Sequence, residues 1–371
     1  MKVLVLNGGS SSLKCWYHDL AADPQNTQAP KPLWQLHLDL RPGARIEDAL
    51  EPALRSIPGA VDVVGHRIVN GGNFRESAVL TSEIRAAIAR QAEMAPTHNR
   101  LELAAIGTVD RVLGTHVTQI AVFDTAFHST LPPAAYVYAG SYAWLDQGIR
   151  RYGFHGISHQ YAARRAAGLL GAKSQRLITC HLGNGASLAA VRAGRCVDTT
   201  MGFTPLEGLM MGSRSGSIDP GILIHLMRQG NTTDQLDDLL NRQSGLLGIS
   251  GISGDMREIL AAAENGHERA RLAFEVYAHR LLREMGGMLA VLGGLDALVF
   301  TGGVGENCPP LREAAARQLA FLGLKLDPAK NAQPHPDQDV AAADSAVHVL
   351  VIHAEEEWEI ARECYRLARL R

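Results

Sequence analysis

The strongest constraint on this chain is a motif that it uses twice, an apolar strand run leading directly into a turn of glycine and serine. The first copy is Val3-Leu4-Val5-Leu6-Asn7-Gly8-Gly9-Ser10-Ser11-Ser12-Leu13-Lys14 and the second is Leu177-Ile178-Thr179-Cys180-His181-Leu182-Gly183-Asn184-Gly185-Ala186-Ser187-Leu188. Placing Ser12-Leu13 on Ser187-Leu188 also puts Gly8 on Gly183, at an offset of 175 residues. An apolar run ended by glycines reads as a buried strand and a tight turn. Glycine lets the main chain approach a ligand closely, and successive exposed N–H groups form a nest for anions. Two such turns half a chain apart point to a duplicated domain gripping a polyphosphate from both sides. One such turn without a ligand is common, so the reading rests on the repetition.

The 371 residues suffice for two domains with substantial cores. A hydrophobic share of 46% against 20% charged residues describes a folded chain. A net charge of −2 argues against a general nucleic-acid or membrane-surface binder, which needs a basic excess. The longest apolar candidate, Gly287 to Phe300, is broken by glycines and by Asp296, so no membrane helix is expected. Five cysteines without a C-x-x-C pair read as reduced, buried thiols of a cytoplasmic protein. Cys308, after a glycine-rich turn, is a candidate reactive thiol beside the ordinary packing alternative.

Strand and helix signals alternate, which favours an α/β class. Strands are expected at residues 3–7, 13–18 and 33–38, with an apolar run Val61 to Val64 closed by Gly65-His66-Arg67. A helix over 82–94 should stop at Pro96, and a strand from Gln119 to Phe123 ends at Asp124. Residues 125–155 suit a crossing between domains. Thr232 to Gln235 forms a capping box, and a long helix is expected from Arg269 to Met285. The strand Ala297 to Phe300 leads into the turn Thr301-Gly302-Gly303-Val304-Gly305, and Asp327 to Asp344 reads as a surface loop. The chain closes on a helix, acidic at Glu355-Glu356-Glu357 and basic at Arg366, Arg369 and Arg371, an order that suits the helix dipole.

Polar residues gather just after these strands, where ligands collect in α/β proteins. They are Asn7, Ser10, Ser12 and Lys14, then Arg67, Asp124, His181, Asn184 and Gly303 to Asn307. Neither a G-x-x-x-x-G-K-[ST] loop nor a G-x-G-x-x-G after a strand is present. Short Gly/Ser/Asn turns spread over two related halves suit an actin-like nucleotide fold instead. Arg67 and Arg214 sit among glycines, where a guanidinium fork can meet carboxylate or phosphate oxygens; a surface ion pair is the plain alternative. His155 and His159 have the i, i+4 spacing of a helical zinc pair but lack the glutamate base, so a histidine donating to a phosphoryl oxygen is favoured. Asp124 and Glu356 are candidates for magnesium, with a strand-end cap and a dipole partner as their structural alternatives.

From end to end these residues resemble the acetate kinase family. The opening Asn7 to Lys14 resembles that family's first motif, and Arg151 to His159 with His181 to Ser187 resemble its central ones. The most specific stretch is Asp198-Thr199-Thr200-Met201-Gly202-Phe203-Thr204-Pro205-Leu206-Glu207-Gly208, continuing to Asp219-Pro220; Phe300 to Asn307 resembles the late adenosine-side motif. The resemblance implies a duplicated actin-like (ribonuclease H-like) two-domain α/β fold with an active-site cleft between the domains. Residues 1–126 plus 357–371 would form the first domain and 127–356 the second, which would carry the nucleotide site.

It also implies a homodimer that moves the γ-phosphoryl of ATP reversibly onto a short carboxylate, with Mg2+ required and Mn2+ able to substitute. Asn7 and Glu356 would serve the metal and Lys14 the ATP phosphates. His181, Leu182, Gly183, Asn184 and Gly185 would cradle phosphate, and Asp255, Met256, Arg257 and Gly303, Val304, Gly305, Glu306, Asn307 would hold the adenosine end. Arg67 would bind the carboxylate, with Val69, Thr97, Phe154 and Pro205 around its acyl group. Asp124, His155 and Arg214 would be catalytic.

Several positions depart from the family pattern: Gly8 for a usual cysteine, Asn70 for histidine, Ser217 for aspartate, Ala354 for threonine, and Thr97 for leucine. Thr97, which puts a hydroxyl at the acyl pocket, and Ser217 motivate a rival reading, a kinase of propionate or another short acid. A nucleotide-binding regulator without the kinase step is the rival from another class.

Overall fold

In the computed structural model, which describes residues 1–9, 12–20, 28–39, 45–91, 96–171 and 175–370, the chain falls into two units. The first comprises Met1–Ser129, Phe154–Tyr161 and Glu355–Arg371; the second comprises Thr130–Gly153 and Ala162–Ala354. The sequence reading put the boundaries at 126 and 357. The units instead change over at 129 and at 355, and Phe154–Tyr161 returns to the first unit.

The first unit is built on a sheet whose centre is the apolar run at the N-terminus. Strand β1 (Lys2–Gly8) buries Val3, Leu4, Val5 and Leu6 completely or nearly so, as a strand covered on both faces must. It pairs antiparallel with β2 (Ser12–Asp19), which pairs antiparallel with β3 (Trp34–Asp39). On its other side β1 runs parallel to β4 (Val63–Ile68), and β4 runs parallel to β6 (Thr118–Phe123), with β5 (Ala78–Val79) antiparallel at the edge. The order is therefore β3-β2-β1-β4-β6-β5. Leu4, Leu6, Leu13 and Tyr17 pack on one face against Ile46 and Leu50 of helix Ile46–Arg55 and Val109 of helix Pro96–Leu113. The C-terminal helix Glu356–Ala368 lies against β1 and β4.

The second unit repeats this plan. Its strands are β7 (Arg176–Leu182), β8 (Ala186–Arg192), β9 (Arg195–Thr199), β10 (Ala297–Thr301), β11 (Gln338–Asp339) and β12 (His348–Val351). Their order is β11-β12-β10-β7-β8-β9, which read backwards matches the first sheet strand for strand. The senses match as well: β7-β8-β9 form an antiparallel meander, β10 and β12 run parallel to β7, and β11 is antiparallel at the edge. The duplication expected from the two turns is thus present in the topology.

The registers refine that expectation. Gly8 pairs with Leu13, leaving four residues in the first turn, whereas Leu182 pairs with Ala186, leaving three in the second. A single offset of 175 residues cannot hold for both strands of the hairpin, because shortening the loop shifts one strand against the other. Ser10 and Ser11 lie outside the described residues.

Other elements differ from expectation in instructive ways. Of the helix expected over 82–94, Ser82–Gln91 forms and 92–95 lie outside the described residues, while Pro96 opens a helix, since a first-turn residue needs no N–H partner. The long helix runs from Glu268 to Leu292, straight through Gly286 and Gly287, and ends where Gly293 turns left-handed at φ +68°. Burial of Leu281, Met285, Met288 and Leu292 carries it past its glycines. Gly302–Asn307 is a short helix rather than an open turn. The stretch 327–344 carries helix Pro328–Ala332, strand β11 and a bridge between Leu326 and Ala341, so its prolines punctuate structure rather than exclude it. The capping box of Thr232 and Gln235 forms as expected. Among the described residues no helix is long and apolar enough to cross a membrane.

Candidate functional site

In the first unit, the ends of β1, β4 and β6 and the start of the C-terminal helix bring together charges that are far apart in sequence. Arg67, near the end of β4, directs both Nε and Nη2 to Asp124 Oδ2, at 3.1 and 2.6 Å. Its Nη1 donates to Asn7 Oδ1 at 3.2 Å, and lies 4.0 Å from Glu356 Oε2. Asn7 Nδ2 in turn donates to Glu356 Oε2 and to Glu357 Oε1, both at 3.0 Å, and Lys14 Nζ meets Glu357 Oε1 at 3.0 Å. Burial opposes the Arg67 charge, but Asp124 and Glu356 outweigh it and raise its pKa. Lys14 behaves alike: burial lowers its pKa, Glu357 and Glu356 raise it, and the balance is upward. Both cations stay charged at any relevant pH.

Four of the expected residues, Asn7, Lys14, Arg67 and Asp124, thus join Glu356 in one network. Two members were not foreseen. Glu357 is 1% exposed and holds both Asn7 and Lys14, so of the run Glu355-Glu356-Glu357 the buried central contact belongs to the third residue. Glu102 accepts a hydrogen bond from Val69 N at 2.8 Å, and burial pushes its carboxyl up to about 8 although Val69 and Arg67 pull it down. A water-sized void of about 20 Å³ lies beside Arg67 and Glu102. No sequence signal marks Glu102, which sits in a helix of mixed polarity.

His155 is carried to this network by the backbone of its neighbour Gly156. It has φ +55° and directly precedes helix Gly156–Leu170, and its carbonyl accepts from His159 N at 2.9 Å. Gly156 N donates to Asp124 O at 2.8 Å, and a Cβ at Gly156 would lie 2.1 Å from that oxygen. Only glycine lets His155 be held against the end of β6. Val69 and Phe154 are buried in the same unit. Thr97 lies on helix Pro96–Leu113, and its side chain falls outside the described residues. Asn70, at a departure from the family pattern, accepts from Gly72 N at 2.8 Å, a side-chain turn of the kind asparagine makes.

The second unit offers space instead of charge. A cavity of about 760 Å³ is lined by Gly183, Asn184, Asp255, Met256, Gly303 and Asn307, among others. Arg257 and Val304 line it too, and so do Gly254, Leu260 and Cys308, which were not expected there. Asp255 caps helix Met256–Glu264 through Arg257 N and pairs with the Arg257 side chain at 2.5 Å, which holds its carboxyl below the usual range. Gly212 N donates to Asn184 O at 3.0 Å, and a Cβ at Gly212 would come within 2.2 Å of Asn184 Oδ1. Cys308 is buried, and burial raises its thiol pKa, which favours the packing alternative.

Five expected nucleotide residues of this unit, His181, Leu182, Gly185, Gly305 and Glu306, do not line this cavity, and Gly305 is buried in its short helix. Leu182 is fully buried in the sheet, His181 lies outside the lining, and Gly185 closes the hairpin by accepting from Gly183 N at 2.9 Å. Glu306 is tied elsewhere, to Gly302 N at 2.9 Å and Ala354 N at 3.0 Å. Arg214 Nη1 donates to Pro205 O at 2.9 Å, and burial lowers its pKa. The loop bearing Pro205 is braced by Arg151, which donates to Thr200 O and Met201 O at 3.0 Å and to Glu207 Oε1 at 2.6 Å. Ser217, another departure, accepts from Gly208 N at 3.0 Å and so closes this loop without a carboxylate.

Comparison with known proteins decides the family. The profile of the Acetokinase family matches residues 45–362. The chain belongs to the acetokinase family. The acetate kinase of Gloeobacter violaceus is 54% identical over 404 aligned positions, spanning 100% of both chains. The solved acetate kinase of Porphyromonas gingivalis superposes with a TM-score of 0.87 at 36% identity, covering 99% of each chain. A propionate kinase from Francisella tularensis superposes with a TM-score of 0.88 at 34% identity, covering 98% of this chain and 99% of that one. The matching pair of six-stranded sheets is the duplicated actin-like fold of these acetokinase relatives.

Proposed function

We propose that this chain is an acetate kinase, transferring the γ-phosphoryl of ATP to acetate to give acetyl phosphate and ADP, and the reverse. The observation that carries the residue roles is the network in which Arg67, held by Asp124 and Asn7, stands beside Lys14 and the glutamates of the C-terminal helix. Phosphoryl transfer asks for positioning and charge neutralisation more than for covalent help. Acetate is ionised at neutral pH, so no general base is needed; the obstacle is repulsion between two anions.

Arg67 is the residue suited to orient the acetate carboxylate, because its guanidinium is already aimed by Asp124 and stays protonated. One acetate oxygen then bonds to the γ-phosphorus as the bond from that phosphorus to the ADP oxygen breaks. Arg214 and His155 neutralise the equatorial oxygens in transit. Lys14 serves the ATP phosphates, and the cavity of about 760 Å³ has the volume and the backbone-rich lining for the adenosine end. Val69, Thr97, Phe154 and Pro205 are the residues assigned to the acyl group.

Asn7, Glu356 and Glu357 offer an amide oxygen and carboxylate oxygens, a set that suits magnesium and not a soft metal. Asn7 and Glu356 would hold it, and when bound it would neutralise charge across the ATP phosphates. A homodimer is part of the proposal, supported by Ile222, Ile224 and Met227, which are half exposed on helix Pro220–Arg228. The five buried free cysteines support a reducing, cytoplasmic setting.

The deciding experiment traps acyl phosphate with hydroxylamine, using purified protein, MgATP and a series of acetate, propionate, butyrate and glycolate. Acetate should give the highest kcat/KM. A clear preference for another acid would transfer the proposal to the propionate-kinase reading that Thr97 motivates. Absence of product with every acid would support a nucleotide-binding regulator.

A further inference from the structure

Glu306 belongs to the short helix that walls the large cavity of the second unit, yet its carboxylate is engaged away from the lining. Oε1 accepts from Gly302 N at 2.9 Å and from Ala354 N at 3.0 Å, while Oε2 lies 2.7 Å from His353 Nδ1. The side chain is only 14% exposed. A carboxylate aimed at a polyphosphate would repel it. Engaged by two backbone N–H groups and an imidazole, the same carboxylate serves as a tie.

What it ties is informative. Gly302 precedes Gly303, Val304 and Asn307, which line the cavity. Ala354 is the last residue of the second unit, and the helix that begins at Glu356 carries the partners of Asn7 and Lys14. Ile352 N also donates to Phe300 O at 2.9 Å, so the segment leaves the sheet in a fixed line before Glu306 takes hold of it.

The geometry points to Glu306 as a positioning residue: it clasps the nucleotide turn to the backbone that leads into Glu356 and Glu357, so that seating a nucleotide orders that segment. This rests on the nucleotide reading of the cavity and replaces, for this one residue, a direct contact with ATP. The clasp needs two acceptor positions for N–H groups, not a net charge at the ligand. Glu306→Gln keeps a carbonyl acceptor for both groups, whereas Glu306→Met removes it at nearly equal size.

Amide hydrogen exchange on the full chain, with and without ADP, tests the clasp over residues 350–358 and 302–308. In the wild type, ADP should slow exchange in both segments, by about tenfold. In E306M the slowing at 350–358 should vanish while that at 302–308 persists, ADP affinity stays within about threefold, and kcat falls about tenfold. E306Q should retain the slowing and most of kcat. Should E306M lose cooperative melting, Ala354→Pro deletes one N–H donor without touching Glu306 and should abolish slowing at 350–358 alone. Persistent slowing at 350–358 in E306M, or in A354P, overturns the clasp. Equal loss of ADP affinity in E306M and E306Q overturns it in favour of direct contact. Calorimetry showing no ADP binding to the wild type sinks the nucleotide reading and the clasp with it, an outcome distinct from both.

Discussion

The two hairpins that begin the two sheets share a topology and divide the chemistry between them. The β1–β2 hairpin supplies side chains: Asn7 and Lys14 enter a web with Arg67, Glu356 and Glu357. The β7–β8 hairpin supplies backbone and room: Gly183 and Asn184 edge a cavity of about 760 Å³. Its turn is one residue shorter. A duplicated fold can thus keep its hydrogen-bond ladder while only the loop contents change, because strand order is set by buried apolar residues and loop chemistry is not. The first site is prearranged electrostatics, and the second is prearranged shape.

The contrast breaks most readily at Arg67. Arg67→Ala should lower kcat/KM for acetate about 10³-fold, chiefly through acetate KM, as expected when a fixed cation is lost from an anion site. It also breaks the buried pair with Asp124, which is 1% exposed, and should cost about 3–5 kcal/mol of unfolding free energy in denaturant titrations. Full stability together with full acetate affinity would remove Arg67 from the site. Arg214→Ala comes next, with kcat down about 10²-fold and acetate KM little changed, read from steady-state kinetics. Purely KM-type losses in both variants would contradict the division between them.

The shape side should respond more mildly. Gly212→Ala pushes a methyl to 2.2 Å from Asn184 Oδ1 and 3.0 Å from Gly254 O, and both residues line the cavity. ADP affinity by calorimetry should fall about tenfold, with acetate KM unchanged. A loss in acetate KM would mean that the two sites are not separable in this way.

A pH slope at Glu102 is read from stability alone. Its carboxyl sits at about 8 in the folded chain against an ordinary value near 4.5. Between those values the folded state holds a proton that the unfolded chain has released, so stability falls as pH rises from about 4.5, and the loss is complete above about 8. The limiting slope is about 1.4 kcal/mol per pH unit. Glu102→Gln should flatten it. His66 acts on the other side: burial lowers it to about 4, so its contribution is full above about 6.5 and is lost as pH falls toward 4. A wild-type stability profile with no decline above pH 5 would show that Glu102 is solvated.

Much of the fold could be read in the residues because the signals were local. Apolar runs ending in glycine marked β1, β7 and β10, and Thr232 with Gln235 marked a helix start. Readings failed where tertiary contacts overrode local preference, as in the helix that crosses Gly286 and Gly287 because its other residues are buried. Asn7, Lys14, Arg67, Asp124 and Glu356 were legible as polar residues at strand or helix ends, where a polar group near an apolar run stands out. Glu102 and Glu357 were not, since a glutamate in a helix looks the same whether solvated or buried.

The sequence by itself determined that two copies of one sheet plan would form, since period, turn residues and apolar content act within a few positions. Only the tertiary structure decided which partner each charge would take: Glu357 rather than Glu355 for Lys14, and Gly302 with Ala354 for Glu306. The reason is physical. A buried charge is fixed by whatever donors surround it after packing, across separations such as the 350 positions between Asn7 and Glu357. No local pattern along the chain records those neighbours.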